Sequence, residues 1–449
     1  MGELFGTDGI RGVAGRHPLD ADTIFRTGLC LAGHLAVRSE RPHILLARDT
    51  RESGPWIESL LVRAVADAGG IAETCGVLST PAVSFLATAR GAHAGVMISA
   101  SHNPYQDNGI KVFSSAGMKF NDAVEEELER AILSCAERAP EEASAPVRPG
   151  AALRFESAPD YLNLYAGHLK ESVAPEFSLR GRRLAVDCAH GSLSAIAPGL
   201  LRDLGADVHA IHCEPDGRNI NLRAGALHLE RLQEEVTRRK AHLGVAFDGD
   251  GDRAMFVDSA GTVRDGDDIL YLLACYGEMG PAQRTVVGTV MANLGLEIAL
   301  RDTGFELVRT AVGDRYVLEE MLRRGAALGG EQSGHVIMTR HARTGDGLLT
   351  ALKVLEILAR ERRDIADLCR PLRRYPQLLV NIPVAEKVPL DQVPGLREAE
   401  AGCRTLLGPN SRIVLRYSGT EKLMRVMVEG ESDELVRAAA SRLASLFRK

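Results

Sequence analysis

"HILLARDTRESGPWIESLLVRAVADAGGIAETCG", residues 43–76, reads as a continuous apolar run, a polar loop, an amphipathic helix, a glycine and a second strand. An apolar run without alternation is what a strand needs when helices cover both faces of a mostly parallel sheet. The helix should stop at Gly69, where a left-handed cap favours a residue without Cβ. The same phrase returns as "RLAVDCAHGSLSAIAPGLLRDLGADVHAIH" (183–212) and "TVVGTVMANLGLEIALRDTGFELVRTA" (285–311), with Gly205 and Gly304 as the stops. Three similar α/β domains in series follow, each with a parallel or mixed sheet. Ligand chemistry is expected in the loops beyond the strand ends.

Outward from these phrases the pattern changes. "RAPEEASAPVRPGAALRFESAP" (138–159) has no apolar periodicity and suits a linker. After "LCRPLRRYPQ" (368–377), a plausible hinge, strands "LLVNIPV", "RIVLRY" and "LMRVMVE" and a last helix predict a smaller antiparallel α+β domain. The expected boundaries are 1–150, 151–252, 253–367 and 368–449.

A chain of 449 residues is too long for one core. One Trp and 4% aromatic residues give no platform for stacking bases, and a formal charge of −6 disfavours a polyanion, so no nucleic-acid partner is expected. An anionic substrate would need local arginines to overcome that sign. The eight cysteines are scattered without a C-x-x-C pair, which predicts reduced thiols rather than a zinc cluster. The start "MGELFGTDGIRG" has no signal-peptide pattern, and no uncharged window is long enough to span a bilayer. A cytoplasmic protein without a membrane partner is expected.

The sharpest motif is "FDGDGDRAMF" (247–256), with Asp248, Asp250 and Asp252 at alternate positions. Alternate side chains of an extended segment share a face, so three carboxylates can converge on one hard cation. A calcium EF-hand is excluded, because Arg253 and Ser259 stand where its glycine and glutamate belong. A dinucleotide loop is disfavoured, because "AMFVDSAG" continues as a strand rather than opening a helix. An acidic turn capped by its own side chains is the plainer alternative. Magnesium is preferred to calcium if a phosphate supplies a further ligand.

"ISASHNPYQDNGIK" (98–111) holds two serines and Lys111, and taken alone its serines read as turn residues. It is not the G-x-S-x-G of a hydrolase. A serine that carries a phosphoryl group needs a nearby cation and donors rather than a strong base, and the Asp cluster could hold that cation. "GGEQSGHVI" (329–337) offers Glu331, Ser333 and His335 for sugar hydroxyls and proton transfer. "RYSGTEKLMR" (416–425) sets Arg416, Ser418, Gly419, Thr420 and Arg425 around a turn that suits a phosphate, and "FGTDGIRG" (5–12) adds Arg11.

In this order, "FGTDGIRG", "ISASHNP", "DGDGDR", "GEQSGH" and "RYSGTE" resemble the α-D-phosphohexomutase family over essentially the whole chain. "PDGRNIN" (215–221), "AVGDRYVLEEM" (311–321) and "TGDGLLTAL" (344–352) are similar to its glucosamine branch. The resemblance implies three α/β domains and a smaller fourth around a central cleft, with Ser101 rather than Ser99 carried as phosphoserine. It implies a magnesium site of Asp248, Asp250, Asp252 and the Ser101 phosphate, and Lys111 and His335 as acid/base groups. Arg11 and Arg253 would steady the phosphoserine, "GEQSGH" would grip the sugar, and the 416–425 loop would take the substrate phosphate. The implied reaction is an isomerisation of glucosamine 6-phosphate to glucosamine 1-phosphate through glucosamine 1,6-bisphosphate, feeding UDP-N-acetylglucosamine and cell-wall precursors. A phosphosugar is the expected partner, with an activating kinase or self-phosphorylation supplying the first phosphate, in a monomer or homodimer. Rival expectations are a phosphomannomutase or phosphoglucomutase activity and a non-catalytic sugar-phosphate binder.

Overall fold

The computed structural model describes residues 3–6, 8–37, 39–135, 153–155, 158–280, 283–418 and 422–447. Its first sheet contains β1 (Phe5–Gly6), β2 (Gly9–Val13), β3 (His43–Arg48), β4 (Ile71–Val77), β5 (Ala94–Ile98), β6 (Asp107–Ser114) and β7 (Leu153–Phe155). The order is β1-β2-β6-β5-β3-β4-β7. The apolar run 43–48 is an inner strand, parallel to both β5 and β4. Helices Ala21–Ala36 and Gly54–Asp67 pack on one another, and Thr80–Ala89 packs on β3, β5 and β6. Gly69 follows Asp67 at φ +83°, a left-handed position that a side chain would strain.

A second sheet takes the order β12-β11-β10-β8-β9 from β8 (Arg183–Asp187), β9 (Asp207–Ile211), β10 (Leu243–Phe247), β11 (Ala254–Asp258) and β12 (Val263–Arg264). In the third, β13 (Thr285–Thr289), β14 (Glu306–Thr310), β15 (Leu328–Gly330) and β16 (Val336–Met338) lie in the order β14-β13-β15-β16. Both have parallel strands inside and an antiparallel hairpin at one edge. The fourth is antiparallel, β17-β19-β18, from β17 (Gln377–Pro383), β18 (Arg412–Tyr417) and β19 (Leu423–Glu429).

Two strand memberships differ from the boundaries expected at 150/151 and 252/253. Residues 153–155 pair with β4 and so join the first sheet. The second sheet reaches Arg264, because the Asp motif is the turn of a hairpin whose return strand β11 stays in register with β10. Most of the expected linker lies outside the described residues.

The first three units share one apolar core, in which Leu45, Val186, Val286 and Leu352 belong to a single buried cluster. Helix Gly347–Glu361 is buried along most of its length and packs on β10 and β11 as well as on its own unit. The fourth unit has its own core, with Ile382, Val426 and Leu443. Among the described residues no helix is long and apolar enough to cross a membrane, and all eight cysteines are free thiols.

The fourth unit is tied to the third by polar contacts. Glu429 accepts the Leu294 N–H at 3.1 Å and Arg412 Nε at 2.7 Å, and Arg412 Nη2 donates to the Ala292 carbonyl at 2.9 Å. Asn293 and Tyr375 exchange two hydrogen bonds, of 2.9 and 3.0 Å, and Arg374 pairs with Asp265 and Asp268. The proposed hinge segment is therefore pinned at its centre, and the docking depends on a fully buried carboxylate. Glu429→Ala removes the buried side of that pair and leaves the half-buried Arg412 beside Arg309 without its counter-charge, which is expected to cost about 3 kcal/mol. Hydrogen exchange over 377–383 and 423–429 should accelerate before the rest of the chain; unchanged exchange there would refute this account of docking.

Candidate active site

The loop between β5 and β6 carries Ser101 at φ +51°, a left-handed conformation that a non-glycine residue holds only when its surroundings impose it. The main restraint is Arg51, which is 1% exposed. Its Nη2 donates to the carbonyls of Ser101 and Asn103, both at 2.9 Å, and its Nη1 to those of Asp107 at 2.9 Å and Pro104. Asp49 orients that guanidinium through Nε at 2.8 Å and also accepts Ser99 Oγ–H at 2.6 Å. Ser99 Oγ in turn accepts the Ser101 N–H at 2.9 Å, and Asn221 from the second unit donates to the Ser101 carbonyl at 2.8 Å. Gly249 is needed at this junction, since a Cβ there would sit 2.7 Å from the Ser101 carbonyl oxygen.

The turn from Asp248 to Arg253 brings its carboxylates to this loop. Ser101 Oγ donates to Asp248 Oδ2 at 2.6 Å and lies 3.3 Å from His102 Nδ1. Asp250 Oδ2 accepts Thr80 Oγ1 at 2.5 Å and Lys111 Nζ at 2.8 Å. One oxygen from each of Asp248, Asp250 and Asp252 lies within 4.8 Å of the others, and all three residues are buried. Burial, then the charges of Asp252 and Asp250, push Asp248 well above the usual carboxylate range. Burial also opposes charge on Asp252, but His335, Lys111 and Arg253 hold it well below that range.

Cations ring the cluster. Lys111 is 1% exposed and lies 3.0 Å from Asp8 and 3.9 Å from Asp252. Burial favours its neutral form, yet Asp250, Asp8 and Asp252 raise its pKa, so it is an ammonium. Lys119 Nζ pairs with Asp8 and, at 2.6 Å, with Asp314, joining the first unit to the third. Arg11 pairs with Asp8, and Arg253 Nε is buried without a hydrogen-bond partner among the described residues. Burial, Arg253 and Arg11 push His102 down to about 4, so that ring is neutral.

The third unit closes the site with the β15–β16 hairpin, whose turn includes Glu331, Ser333 and His335. An isolated bridge pairs His335 with Arg253. His335 is 2% exposed, with Nδ1 3.5 Å from Asp252 and Nε2 accepting the Gly345 N–H at 3.0 Å. Burial alone would lower its pKa, but Asp252 and Asp314 raise it. Glu331 accepts the Gly313 N–H at 3.2 Å, and Ser333 Oγ is buried without a partner among the described residues. A cleft of about 470 Å³ opens between Asp8, Arg11, His102, Arg253, Glu331 and His335.

The structure thus brings together Ser101, Lys111, the three Asp, Arg11, Arg253, Glu331 and His335. It does not bring Arg416, Ser418 or Arg425 into the cleft wall. Those residues sit on the separate antiparallel sheet, and Gly419 and Thr420 lie outside the described residues. Arg416 and Arg425 face each other directly across β18 and β19, and burial, then Arg425, lowers the Arg416 pKa. Like charges directly opposite are destabilising, a strain that an anion between them would relieve. Sequence reasoning missed Asp8, Arg51, Lys119, Asn221 and Asp314. Asp8, Arg51, Asn221 and Asp314 lay inside quoted motifs, but pattern alone does not show that a buried arginine is aimed at four carbonyls.

The acidic site fits a hard cation. Asp250 Oδ1 and Asp252 Oδ1 are buried with no hydrogen-bond partner among the described residues, and all the donors are carboxylate oxygens. Fully buried like charges at this spacing call for a counter-ion.

Comparison with known proteins agrees with the succession of four units. Four successive models of the phosphoglucomutase/phosphomannomutase family match: α/β/α domain I at 2–139, domain II at 163–261, domain III at 265–375 and the C-terminal domain at 379–446. A phosphoglucosamine mutase from Solibacter usitatus is 46% identical, covering 100% of this chain and 98% of its own. A phosphoglucomutase/phosphomannomutase family protein from Burkholderia thailandensis shares the fold at a TM-score of 0.76 and 23% identity, covering 98% of this chain and 96% of its own. Aspergillus fumigatus N-acetylphosphoglucosamine mutase, solved in complex with GlcNAc-6P and magnesium, shares it at 0.64 and 18%, covering 99% and 95%. Four domain matches in the order of the four sheets, with a relative this similar along the full length, establish that the chain belongs to the α-D-phosphohexomutase family.

Proposed function

We propose that this protein interconverts glucosamine 6-phosphate and glucosamine 1-phosphate, with the phosphoryl group carried on Ser101. The observation that carries the reading is the meeting of Ser101 Oγ, 2.6 Å from Asp248, with a buried acidic cluster and a surrounding ring of cations. The amino sugar is supported by full-length relatives at 43–46% identity that are named phosphoglucosamine mutases.

Asp248, Asp250 and Asp252 would hold a magnesium ion, with the phosphate on Ser101 as a further ligand. Bound there, it would neutralise charge on the transferring phosphoryl group. A sugar hydroxyl attacks phosphorus as the bond from phosphorus to Ser101 Oγ breaks, and the freed electron pair stays on that oxygen. Lys111 and His335, 3.9 and 3.5 Å from Asp252, are the groups proposed to handle the proton: His335 takes it from the attacking hydroxyl and the Lys111 ammonium gives one to the departing Ser101 oxygen. Arg11 and Arg253 steady the phosphoserine, while Glu331 and Ser333 hold the sugar ring. The second transfer runs in reverse from glucosamine 1,6-bisphosphate, with its other phosphate presented to Ser101. Arg416, Ser418, Gly419, Thr420 and Arg425 then hold the phosphate that is not reacting, which requires the fourth unit to swing over the cleft.

Arg51 acts at a distance from the chemistry, as a positioning residue. It holds the backbone that aims Ser101 Oγ, and a misplacement of about 1 Å in such a group costs about 100-fold in rate.

Peptide mass analysis after treatment with glucose or glucosamine 1,6-bisphosphate should find phosphate on Ser101, and Ser101→Ala should lose about 10³-fold or more in turnover. Full activity of that variant would overturn the mechanism, and poorer turnover of glucosamine 6-phosphate than of glucose or mannose phosphates would overturn the substrate. Chelation should abolish turnover and added Mg²⁺ restore it, with Asp250→Asn no longer rescued at the same concentration. Arg51→Lys should lower kcat about 10- to 100-fold with KM little changed, because the planar fork is lost while the cleft is not. A KM effect alone would place Arg51 in binding instead.

A further inference from the structure

Three consecutive carbonyls of the Asp turn are each held by the start of a helical segment from a different part of the chain. The Gly249 carbonyl accepts the Ser192 N–H at 2.9 Å, that of Asp250 the Thr80 N–H at 2.8 Å, and that of Gly251 the Gly347 N–H at 3.0 Å. Ser192 opens the short helical turn Ser192–Ala195 of the second unit, Thr80 the helix Thr80–Ala89 of the first, and Gly347 the helix Gly347–Glu361 of the third. Thr80 also reaches the Asp250 carboxylate through its hydroxyl. The approach of the third helix leaves no room for a side chain, since a Cβ at Gly347 would sit 2.4 Å from the Arg253 carbonyl oxygen. Peptide groups are planar, so three successive carbonyls held in direction fix the dihedral angles of Asp250 and Gly251 between them. The surrounding helices therefore keep the carboxylates together, whereas their mutual repulsion would spread them.

One hydroxyl joins two of those starts. Tyr165, 1% exposed, lies on helix Ala158–Glu171, which leads into the second unit and packs on both Thr80–Ala89 and Gly347–Glu361. Its hydroxyl donates to Asp346 Oδ2 at 2.8 Å, and the Ser79 hydroxyl hydrogen-bonds to the same phenol. Ser79 and Asp346 are the N-caps of the two helices: Ser79 Oγ accepts the Ala82 N–H at 3.4 Å, and Asp346 Oδ1 the Leu349 N–H at 2.9 Å. Tyr165 itself does not line the Ser101 cleft. On the reading that Asp248, Asp250 and Asp252 hold magnesium, we infer that Tyr165 is a positioning residue for that site: its hydroxyl ties together the N-caps of two helices whose first N–H groups hold the Asp turn in a cation-binding shape. Without it, the buried Asp346 carboxylate loses a donor that water cannot replace, and the start of its helix is freed to shift, taking the Gly251 carbonyl with it. Loss of such an outer partner costs about 10- to 100-fold in metal affinity.

Mn²⁺, a hard cation that takes the same oxygen ligands as Mg²⁺, can be titrated into the full chain and the free ion followed by its EPR signal, with melting temperatures measured alongside. Wild type should bind the ion and Asp250→Asn should lose it, which places the ion at the turn. Tyr165→Phe should raise the Mn²⁺ dissociation constant about tenfold. Gly347→Ala should do the same, because its Cβ forces the helix start off the turn although alanine favours the helix itself. Wild-type affinity in a folded Tyr165→Phe, even with a lowered melting temperature, would make the hydroxyl a contact of the fold alone and overturn the inference. Should Tyr165→Phe not fold, wild-type affinity in Gly347→Ala overturns it. Equal binding by wild type and Asp250→Asn, or binding by neither, would instead overturn the magnesium reading, and the inference with it.

Discussion

Three carboxylates closed off from water within 4.8 Å of one another are the constraint around which this molecule is arranged. Such a cluster is unstable by itself, since each charge has lost its hydration and faces two of its own sign. The fold answers with cations from different units. Lys111 comes from the first sheet, Arg253 from the turn of the second, and His335 from the hairpin of the third. The cluster therefore joins three domains electrostatically, and any group that reacts beside it does so where those domains meet.

That meeting point also explains why the Ser101 loop can hold a left-handed residue. Its backbone carbonyls are fixed by Arg51 from its own unit and Asn221 from the next, so the cost of the conformation is spread over contacts made elsewhere. Serine hydroxyls in turns ordinarily satisfy nearby backbone donors, and Ser99 does so here by accepting the Ser101 N–H. Ser101 instead directs its hydroxyl at the acidic cluster. The two serines stand two positions apart and differ in what their hydroxyls meet because the chain turns sharply between them.

The first three units share a core and the fourth does not. A shared apolar core resists relative motion, whereas a junction made of hydrogen bonds and ion pairs at Asn293, Arg374 and Glu429 can rearrange at smaller cost. The separation matters for the proposed reaction, in which a bisphosphate would present first one phosphate and then the other. On that proposal the rigid part would hold the transferring groups in register, and the polar junction would let the fourth unit meet a substrate in either orientation.

Much of this was legible in the amino-acid order. Repeated apolar runs followed by amphipathic helices specify α/β units, because that pattern has no other way to bury itself, and alternating Asp residues in an extended turn point to one face whatever surrounds them. Motif order then points to the family and, through it, to Ser101 and Lys111. Tertiary structure alone decided which residues serve those motifs. Arg51 and Asn221 converge on one carbonyl from positions 170 residues apart (221 − 51), and Asp8, Lys119 and Asp314 form one ion-paired chain across two domains. No local period encodes such meetings. They are consequences of how the sheets pack, because a buried charge takes its partner from whatever element the packing brings within reach.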